Sequence, residues 1–494
     1  MLSGAELYEQ YKLLMQRIAD VRYASAVLQW DQETYMPVKG AEGRARQLAT
    51  LTEMAHNLYT DGALENILTE IIDKTDIDDV SLANVQLTLD ELNRQKKLNS
   101  TFVRTLSETV SKAFNAWIDA RKKNDFTLFQ ASLAELVTLK ITEADLYGYD
   151  AHPYDALLYE FEKSMTVQKL DTLFDVMTEP LKEIIAACTN KNTDDSFLHQ
   201  YYPKDKQWEW GMFLVKELGF DLAAGRQDIS EHPFTTNFNA QDVRITTRID
   251  ERDFANMTWS CIHETGHALY EQGLPPDAYG LPAGEFASLS IHESQSRLWE
   301  NCVGRSKIFW QHYLPVLKKY FPSQLEQVDI PTFYQGINRV QPSFIRTEAD
   351  ELTYHFHVKI RYEIEKALIS KSLSVKDLPV AWNDLYKKHL GVIVPDDNKG
   401  CLQDVHWSHG SFGYFPTYSL GSFYAAQFWA QAKTDIPGLE AQITGGDTKQ
   451  LLLWLREKIH RHGKLYDSEA LCKSVTGKGL DTTLFINYAK EKYL

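Results

Sequence analysis

Residues 259–273 read WSCIHETGHALYEQG, and within them His263, Glu264 and His267 form the pattern H-E-x-x-H. Residues four apart lie on one face of an α-helix, about one turn from each other, so the two imidazoles can bind the same cation. Glu264, next to the first histidine, can then act on a metal-bound water as a general base. The pattern predicts a metal-dependent hydrolytic site carried by a helix.

The residues around this pattern predict where the helix begins and ends. Asn256 is a suitable N-cap, and Ile262, Leu269 and Tyr270 supply an apolar face. Gly273 and the two prolines that follow it are a stop signal.

A catalytic zinc site usually has three protein ligands and one open position for water. After a Gly/Pro-rich turn, a second apolar-periodic segment begins near Glu285 and is predicted to return as an antiparallel helix. Glu293 is the preferred third ligand, because Glu285 lies close to the turn and would reach the metal only if the helix began late. His292 is expected to support a ligand, and Glu300 to be a solvated charge.

Composition limits the function classes. A chain of 494 residues exceeds the usual size of a single core, so a large two-lobed domain is expected. The formal net charge of -16 argues against a nucleic-acid partner or an anionic membrane surface. Five cysteines without a C-x-x-C pair are interpreted as free thiols in a reducing compartment. No apolar run of about 18 residues and no signal sequence is found, so a cytoplasmic protein is expected.

Helical periodicity runs through most of the chain. Residues 1–230 are predicted to be largely helical, residues 231–430 contain the active-site motifs, and residues 431–494 are helical again, all within one domain. Val243, Ile245, Thr247 and Ile249 alternate with polar residues, which predicts a small sheet directly before the metal helix. In peptidases an edge of such a sheet can pair with an extended substrate. The fold class is therefore mainly α, with a small β-sheet beside the metal helix.

Six motifs in a fixed order give the sequence a strong resemblance to the carboxypeptidase Taq family of zinc metallocarboxypeptidases. They are HPF (232–234), D-x-R-x-T (242–246), HETGH (263–267), HESQ (292–295), IRTEAD (345–350) and GCLQDVHW (400–407). The resemblance implies a helical fold with a deep central cleft, a homodimer, and release of C-terminal amino acids with broad specificity but poor cleavage of C-terminal proline. It also implies that His263, His267 and Glu293 bind one Zn²⁺ per subunit, which Co²⁺ can replace, and that Glu264 is catalytic.

A carboxypeptidase needs a cation for the free carboxylate of its substrate, and arginine offers a two-point fork. Arg244 and Arg346 are the candidates because both lie in family motifs. Each has an alternative role in a structural ion pair, Arg244 with Asp242 and Arg346 with Asp350, and the sequence does not rank them.

The oxyanion that forms during hydrolysis also needs hydrogen-bond donors. His406, Tyr414 and Tyr418 are the candidates, either as donors or as part of the pocket wall, with His409 weaker because it falls outside the motif. His232 is expected to line the site or to order the neighbouring strand.

The sequence leaves two other functions open. An oligopeptidase that cuts internal bonds would accept amidated peptides, whereas a carboxypeptidase would not. A zinc-containing scaffold without turnover would have no need of Glu264.

Overall fold

The computed structural model describes residues 2–189, 191 and 193–494. It is built mainly of α-helices with one three-stranded sheet, which confirms the predicted fold class. The first four helices are α1 (Gly4–Thr34), α2 (Ala41–Tyr59), α3 (Gly62–Ile72) and α4 (Asp79–Gln95). They enclose a small core of their own, in which Leu7, Tyr11 and Leu68 are fully buried, and Leu281 from the turn after the metal helix joins it. This group forms a small N-terminal lobe that reaches the active-site region through that turn.

The main core begins with the next helices and extends to the end of the described chain. Its first helices are α5 (Ser100–Lys123), α6 (Thr127–Tyr147), α7 (Pro153–Phe161), α8 (Val167–Thr189) and α9 (Lys204–Glu217). A loop of residues 148–152 separates α6 from α7. Large aromatic residues such as Trp210 and Tyr154 are fully buried in this core, as expected for apolar stripes at helical spacing.

The sheet consists of β1 (Gly225–Ile229), β2 (Thr235–Asn239) and β3 (Asp242–Thr247), in the order β1-β3-β2. The predicted strand is therefore the central one, and β2 is an edge strand that runs antiparallel to it. β1 falls inside the stretch predicted to be helical. It has no apolar alternation because its buried residues, Gln227 and Asp228, are polar and bond to Cys261 and to Tyr35.

The two faces of the sheet have different neighbours. Val243 and Ile245 are fully buried on one face, and their β2 partners in the register are Asn237 and Thr235. Because side chains alternate along a strand, Arg244 projects from the opposite face.

Helix α10 (Phe254–Glu271) carries the H-E-x-x-H pattern. Its N-cap is Asp253, whose side chain accepts a hydrogen bond from the backbone N–H of Asn256 at 3.2 Å, so the predicted Asn256 cap is wrong. Asp253 precedes the first helical residue and can reach this free N–H, whereas Asn256 already lies within the first turn.

Helix α11 (Leu289–Arg297) begins four residues later than Glu285, directly after the N-cap Ser288. It continues as a π-helical turn, Leu298–Val303. Residues along α10 meet residues of the second segment in reverse order, with His263 beside Glu300 and His267 beside His292, so the predicted antiparallel pairing is confirmed. A Cβ at Gly266 would lie 2.6 Å from the Cα of Ser296, which shows that glycine allows the two backbones to approach closely.

The remaining helices complete the main lobe. They are α12 (Lys307–Tyr320), α13 (Pro322–Leu325), α14 (Ile330–Ile337), α15 (Tyr354–Ile369), α16 (Leu378–Leu390), α17 (Pro416–Asp435), α18 (Leu439–Thr444), α19 (Lys449–Lys458), α20 (Ser468–Thr476) and α21 (Thr482–Tyr493). A loop with a short turn at Arg346–Glu348 lies between α14 and α15. Among the described residues, none of the helices is long and apolar enough to cross a membrane.

Candidate metal centre and active site

His263, His267 and Glu293 converge between α10 and α11. The Oε2 atom of Glu293 lies 3.6 Å from Nε2 of His267 and 3.9 Å from Nε2 of His263. One ligand atom from each of the three residues falls within 4.8 Å of the others. Two imidazole nitrogens and one carboxylate oxygen are a donor set that suits Zn²⁺, with room for a fourth ligand. The three residues therefore fit the metal that the family resemblance implies.

The first histidine is held by a buried carboxylate. Nδ1 of His263 lies 2.8 Å from Oε2 of Glu300. Glu300 is 8% exposed and is not the solvated charge that the sequence predicted. Burial alone would raise the pKa of Glu300, but the charge of Arg297 and the hydrogen bond to His263 bring it below its ordinary value. In return, burial would lower the pKa of His263, but the bond to Glu300 raises it.

The second histidine is held through another histidine. Nδ1 of His267 lies 2.6 Å from Nδ1 of His292, and Nε2 of His292 lies 2.7 Å from Oε1 of Glu271. Burial and the neighbouring histidines keep the pKa of His267 well below its ordinary value, so its ring is neutral. A neutral imidazole is the form that binds metal.

Glu264 is 7% exposed, and its Oε2 accepts a hydrogen bond of 2.6 Å from the hydroxyl of Thr235 on β2. Burial raises the pKa of the Glu264 carboxyl, while the Thr235 hydroxyl partly opposes this shift. A carboxylate with a raised pKa next to a metal site is suited to accept a proton and return it.

Helix α17 closes the site from the side of α11. A Cβ at Gly421 would lie 2.5 Å from the Cβ of Glu293, so α17 packs directly on the third ligand residue. This contact places Tyr418, one turn earlier on α17, beside the site.

Arg346 belongs to a buried charge network. Its guanidinium lies 2.9 Å from Asp404, which also binds Arg361 at 2.5 Å. The predicted ion pair between Arg346 and Asp350 is wrong, because Asp350 accepts hydrogen bonds from Thr353 instead. Two guanidinium groups share one carboxylate, so the cluster carries a net positive charge.

Arg346 also contacts the aromatic wall. Its Nη1 donates to the hydroxyl of Tyr354 at 3.2 Å, and its guanidinium lies 4.8 Å from the ring centre of Tyr418. Tyr354 in turn lies under Arg297, which binds Glu293 at 2.7 Å. Tyr354 therefore lies between Arg346 and Arg297, the residue that binds Glu293.

Arg244 forms the predicted pair with Asp242 at 3.0 Å. Its guanidinium stacks between the rings of Trp30 and Phe238, at 4.3 and 4.8 Å. It lies on the face of the sheet opposite to Thr235, the residue that contacts Glu264. Arg244 and the hydroxyl that holds the base therefore lie on opposite faces of the sheet.

His406 and two tyrosines form a cluster next to Arg346. Nε2 of His406 lies 3.2 Å from the hydroxyl of Tyr418, and the ring of Tyr414 lies 5.3 Å from each of their rings. Burial lowers the pKa of His406 to about 3, so the ring is neutral. His409 is exposed and packs on Phe114.

His232 lies in the loop between β1 and β2 with an exposed side chain. Its carbonyl oxygen accepts a hydrogen bond of 2.6 Å from the hydroxyl of Ser230. This hydrogen bond orders the turn before β2.

The sequence did not single out Thr235, Glu271, Arg297 or Asp404. Helical spacing could have indicated two of them, because Glu271 lies four residues after His267 and Arg297 lies four residues after Glu293. Thr235 and Asp404 act across long stretches of chain. No local pattern marks Thr235, and the GCLQDVHW motif contains Asp404 without indicating its arginine partners.

A helical fold with two imidazoles and a carboxylate converging beside a buried glutamate defines a metal-dependent hydrolase of the metallopeptidase class. The chain matches the model of the carboxypeptidase Taq (M32) metallopeptidases over residues 10–493. It is 40% identical to Carboxypeptidase 1 of Bacillus subtilis, over 97% of this chain and 96% of that protein. It is 36% identical to Thermostable carboxypeptidase 1 of Pyrococcus furiosus, over 99% of each.

Solved structures agree with the sequence relatives. The crystal structure of an M32 carboxypeptidase from Deinococcus radiodurans is 36% identical, covers 99% of each chain and has a TM-score of 0.96. The chain therefore belongs to the carboxypeptidase Taq (M32) family of metallopeptidases, as the six motifs predicted, and it is a metallocarboxypeptidase.

Proposed function

We propose that this metallocarboxypeptidase uses one Zn²⁺ per subunit, held by His263, His267 and Glu293, to release C-terminal amino acids from peptides. Broad specificity with poor cleavage of C-terminal proline is the expected preference, and Co²⁺ is expected to replace zinc. The observation that carries the proposal is the convergence of the three ligand atoms beside the buried Glu264. When bound there, zinc supplies a Lewis acid and lowers the pKa of its water ligand to about 7.

Glu264 moves the proton. Its carboxylate accepts a proton from the attacking water and then donates it to the nitrogen of the leaving amino acid. Thr235 holds Oε2 of Glu264, so the other oxygen, Oε1, is free to face the water.

Arg346 is the proposed anchor for the free carboxylate of the substrate. Three of its five N–H groups are already used: those on Nε and Nη2 contact Asp404, and one on Nη1 contacts Tyr354. One N–H on each terminal nitrogen remains, and this pair matches the two oxygens of a carboxylate. The excess positive charge of the cluster favours an anion, whereas Arg244 has its fork on Asp242 and lies on the other face of the sheet.

Tyr418 and His406 are proposed to stabilise the oxyanion, and Tyr414 to contact the substrate. The Tyr418 hydroxyl is oriented by Nε2 of His406, and the ring is fixed against Arg346. Glu365, which is fully buried, accepts hydrogen bonds from the indole N–H of Trp407 at 2.8 Å and the backbone N–H of Gly413 at 3.0 Å. It therefore fixes the segment between them, so the donors are held before the substrate binds. His232 is also proposed to contact the substrate, through its exposed side chain in the loop before β2.

We also propose that the chain acts as a single catalytic domain, as a cytoplasmic homodimer. The five cysteines are buried and free, which supports a reducing compartment. The homodimer rests on the family resemblance, and sedimentation equilibrium at several protein concentrations tests it.

The experiment that tests the proposed function is a paired assay by mass spectrometry. The zinc-loaded enzyme receives one unblocked peptide and its C-terminally amidated twin. Stepwise loss of C-terminal residues from the unblocked peptide alone is expected. Internal fragments from both peptides would show an oligopeptidase, and no product from either would show a zinc protein without turnover.

A further inference from the structure

A continuous chain of hydrogen bonds leads away from the metal site through residues to which the mechanism above gives no role. It runs from Nδ1 of His267 to Nδ1 of His292, and from Nε2 of His292 to Oε1 of Glu271. The other oxygen of Glu271, Oε2, accepts a hydrogen bond from the side-chain amide of Asn237 on β2. Glu271 is 3% exposed, so its charge is shielded from water.

The donors and acceptors in this chain have one consistent assignment. A metal-bound His267 must keep the lone pair of Nε2 free, so its proton lies on Nδ1 and is donated to His292. His292 then accepts at Nδ1 and carries its proton on Nε2, which donates to the Glu271 carboxylate. The reverse assignment would place a proton on the metal-binding nitrogen and would set an unprotonated nitrogen against a carboxylate.

The same edge strand holds both the base and the end of this chain. Thr235 and Asn237 are two residues apart on β2, so they project from one face of the sheet. Thr235 binds Glu264, and Asn237 binds Glu271 one helical turn beyond His267. The ring of Phe286 lies 4.8 Å from that of His292 and closes its remaining side.

We propose that His292, Glu271 and Asn237 form a positioning relay. It delivers the negative charge of Glu271 to the metal ligand His267, fixes the orientation and tautomer of that ring, and thereby strengthens metal binding. The inference rests on the proposed metal site, and it assigns to the histidine of the HESQ motif a role in metal affinity.

The test measures zinc affinity by competition with a chelator, together with the visible spectrum of the Co²⁺-loaded protein. Glu271→Gln keeps the shape of the side chain and an oxygen that can accept from His292, but removes the charge. Its matched control is Glu365→Gln, which makes the same change at a fully buried glutamate that bonds to Tyr154, Trp407 and Gly413 instead of to a ligand histidine.

Loss of such outer partners typically weakens metal binding by about 10- to 100-fold, so Glu271→Gln is expected to weaken zinc binding at least about tenfold and to shift the Co²⁺ spectrum. Asn237→Ala is expected to act in the same direction, and it decides the question if Glu271→Gln does not fold. Glu365→Gln is expected to leave both readouts unchanged, and the melting temperature of each metal-free variant checks folding.

His267→Ala separates the two proposals. If it loses zinc while Glu271→Gln and Asn237→Ala bind zinc like the parent, the relay is refuted and the metal site stands. If His267→Ala binds zinc like the parent, the ligand set and the relay fail together. An equal loss of affinity in Glu365→Gln would also refute the relay, because the effect would then follow from changing any buried glutamate to glutamine.

Discussion

Arg346→Met tests how the enzyme recognises a free C-terminus. Methionine keeps most of the side-chain volume and removes the two N–H groups that point away from Asp404 and Tyr354. A hydrogen bond to a charged group contributes about 1.5–3 kcal/mol, so the loss of two costs at least about 3 kcal/mol. Every 1.4 kcal/mol is tenfold, which gives a fall in kcat/KM of roughly 100-fold.

The loss is expected mainly in KM, because the carboxylate lies away from the reacting carbonyl and is bound equally in the ground and transition states. The fold is expected to survive, because Asp404 keeps Arg361 as its partner and is not left as an uncompensated buried charge. Urea denaturation checks this expectation.

The assay compares Arg346→Met with Arg244→Met on an unblocked peptide over a range of concentrations. We expect a large rise in KM for the first variant and a small change for the second. A large rise for Arg244→Met alone would show that the anchor is Arg244, and no change in either variant would refute an arginine anchor.

Four further outcomes follow from the site and the core. Glu264→Gln should retain zinc and lose about 10²- to 10⁴-fold in kcat; metal analysis beside the peptide assay checks it, and near-normal turnover would contradict the role of Glu264 as the base. Thr235→Val removes a hydrogen bond that holds the pKa of Glu264 down, so the acidic limb of the pH profile of kcat/KM should move to higher pH, and an unmoved limb would contradict the contact. Glu300→Gln should weaken zinc binding by about 10- to 100-fold in a chelator competition, whereas unchanged affinity would show that Glu300 is only structural. Lys492→Met breaks a buried pair with Glu351, whose side chains are 6% and 4% exposed, and should lower the free energy of unfolding by about 3–5 kcal/mol; an unchanged urea midpoint would contradict this.

The metal helix and the proposed ligands could be predicted because their signals are local. The spacing of His263 and His267 fixes a common helical face, and the Gly/Pro-rich connection after α10 brings α11 back with Glu293. The exact start of each helix was less predictable, because Asp253 and Ser288 act as caps only through the backbone geometry they adopt.

The contacts that tune the site could not be predicted, because they join distant parts of the chain. Glu300 looks solvated in sequence, but Arg297, Arg305 and His263 surround it in the structure. Arg346 pairs with Asp404, 58 residues away, instead of with its near neighbour.

The short strand β1 has a related explanation. Its buried positions are polar, and the Cys261 thiol and the Tyr35 hydroxyl that accompany them lie far away in sequence. Apolar periodicity cannot reveal a strand whose inner positions are occupied in this way.

A crystal structure of the zinc-loaded enzyme, with anomalous diffraction data collected at the zinc absorption edge, tests the proposed metal site most directly. We expect one peak per subunit, at about 2.0–2.2 Å from Nε2 of His263, Nε2 of His267 and Oε2 of Glu293. Crystals of active enzyme in which the zinc lies elsewhere, or in which one of these three atoms does not coordinate it, would show that the proposed ligand set is wrong.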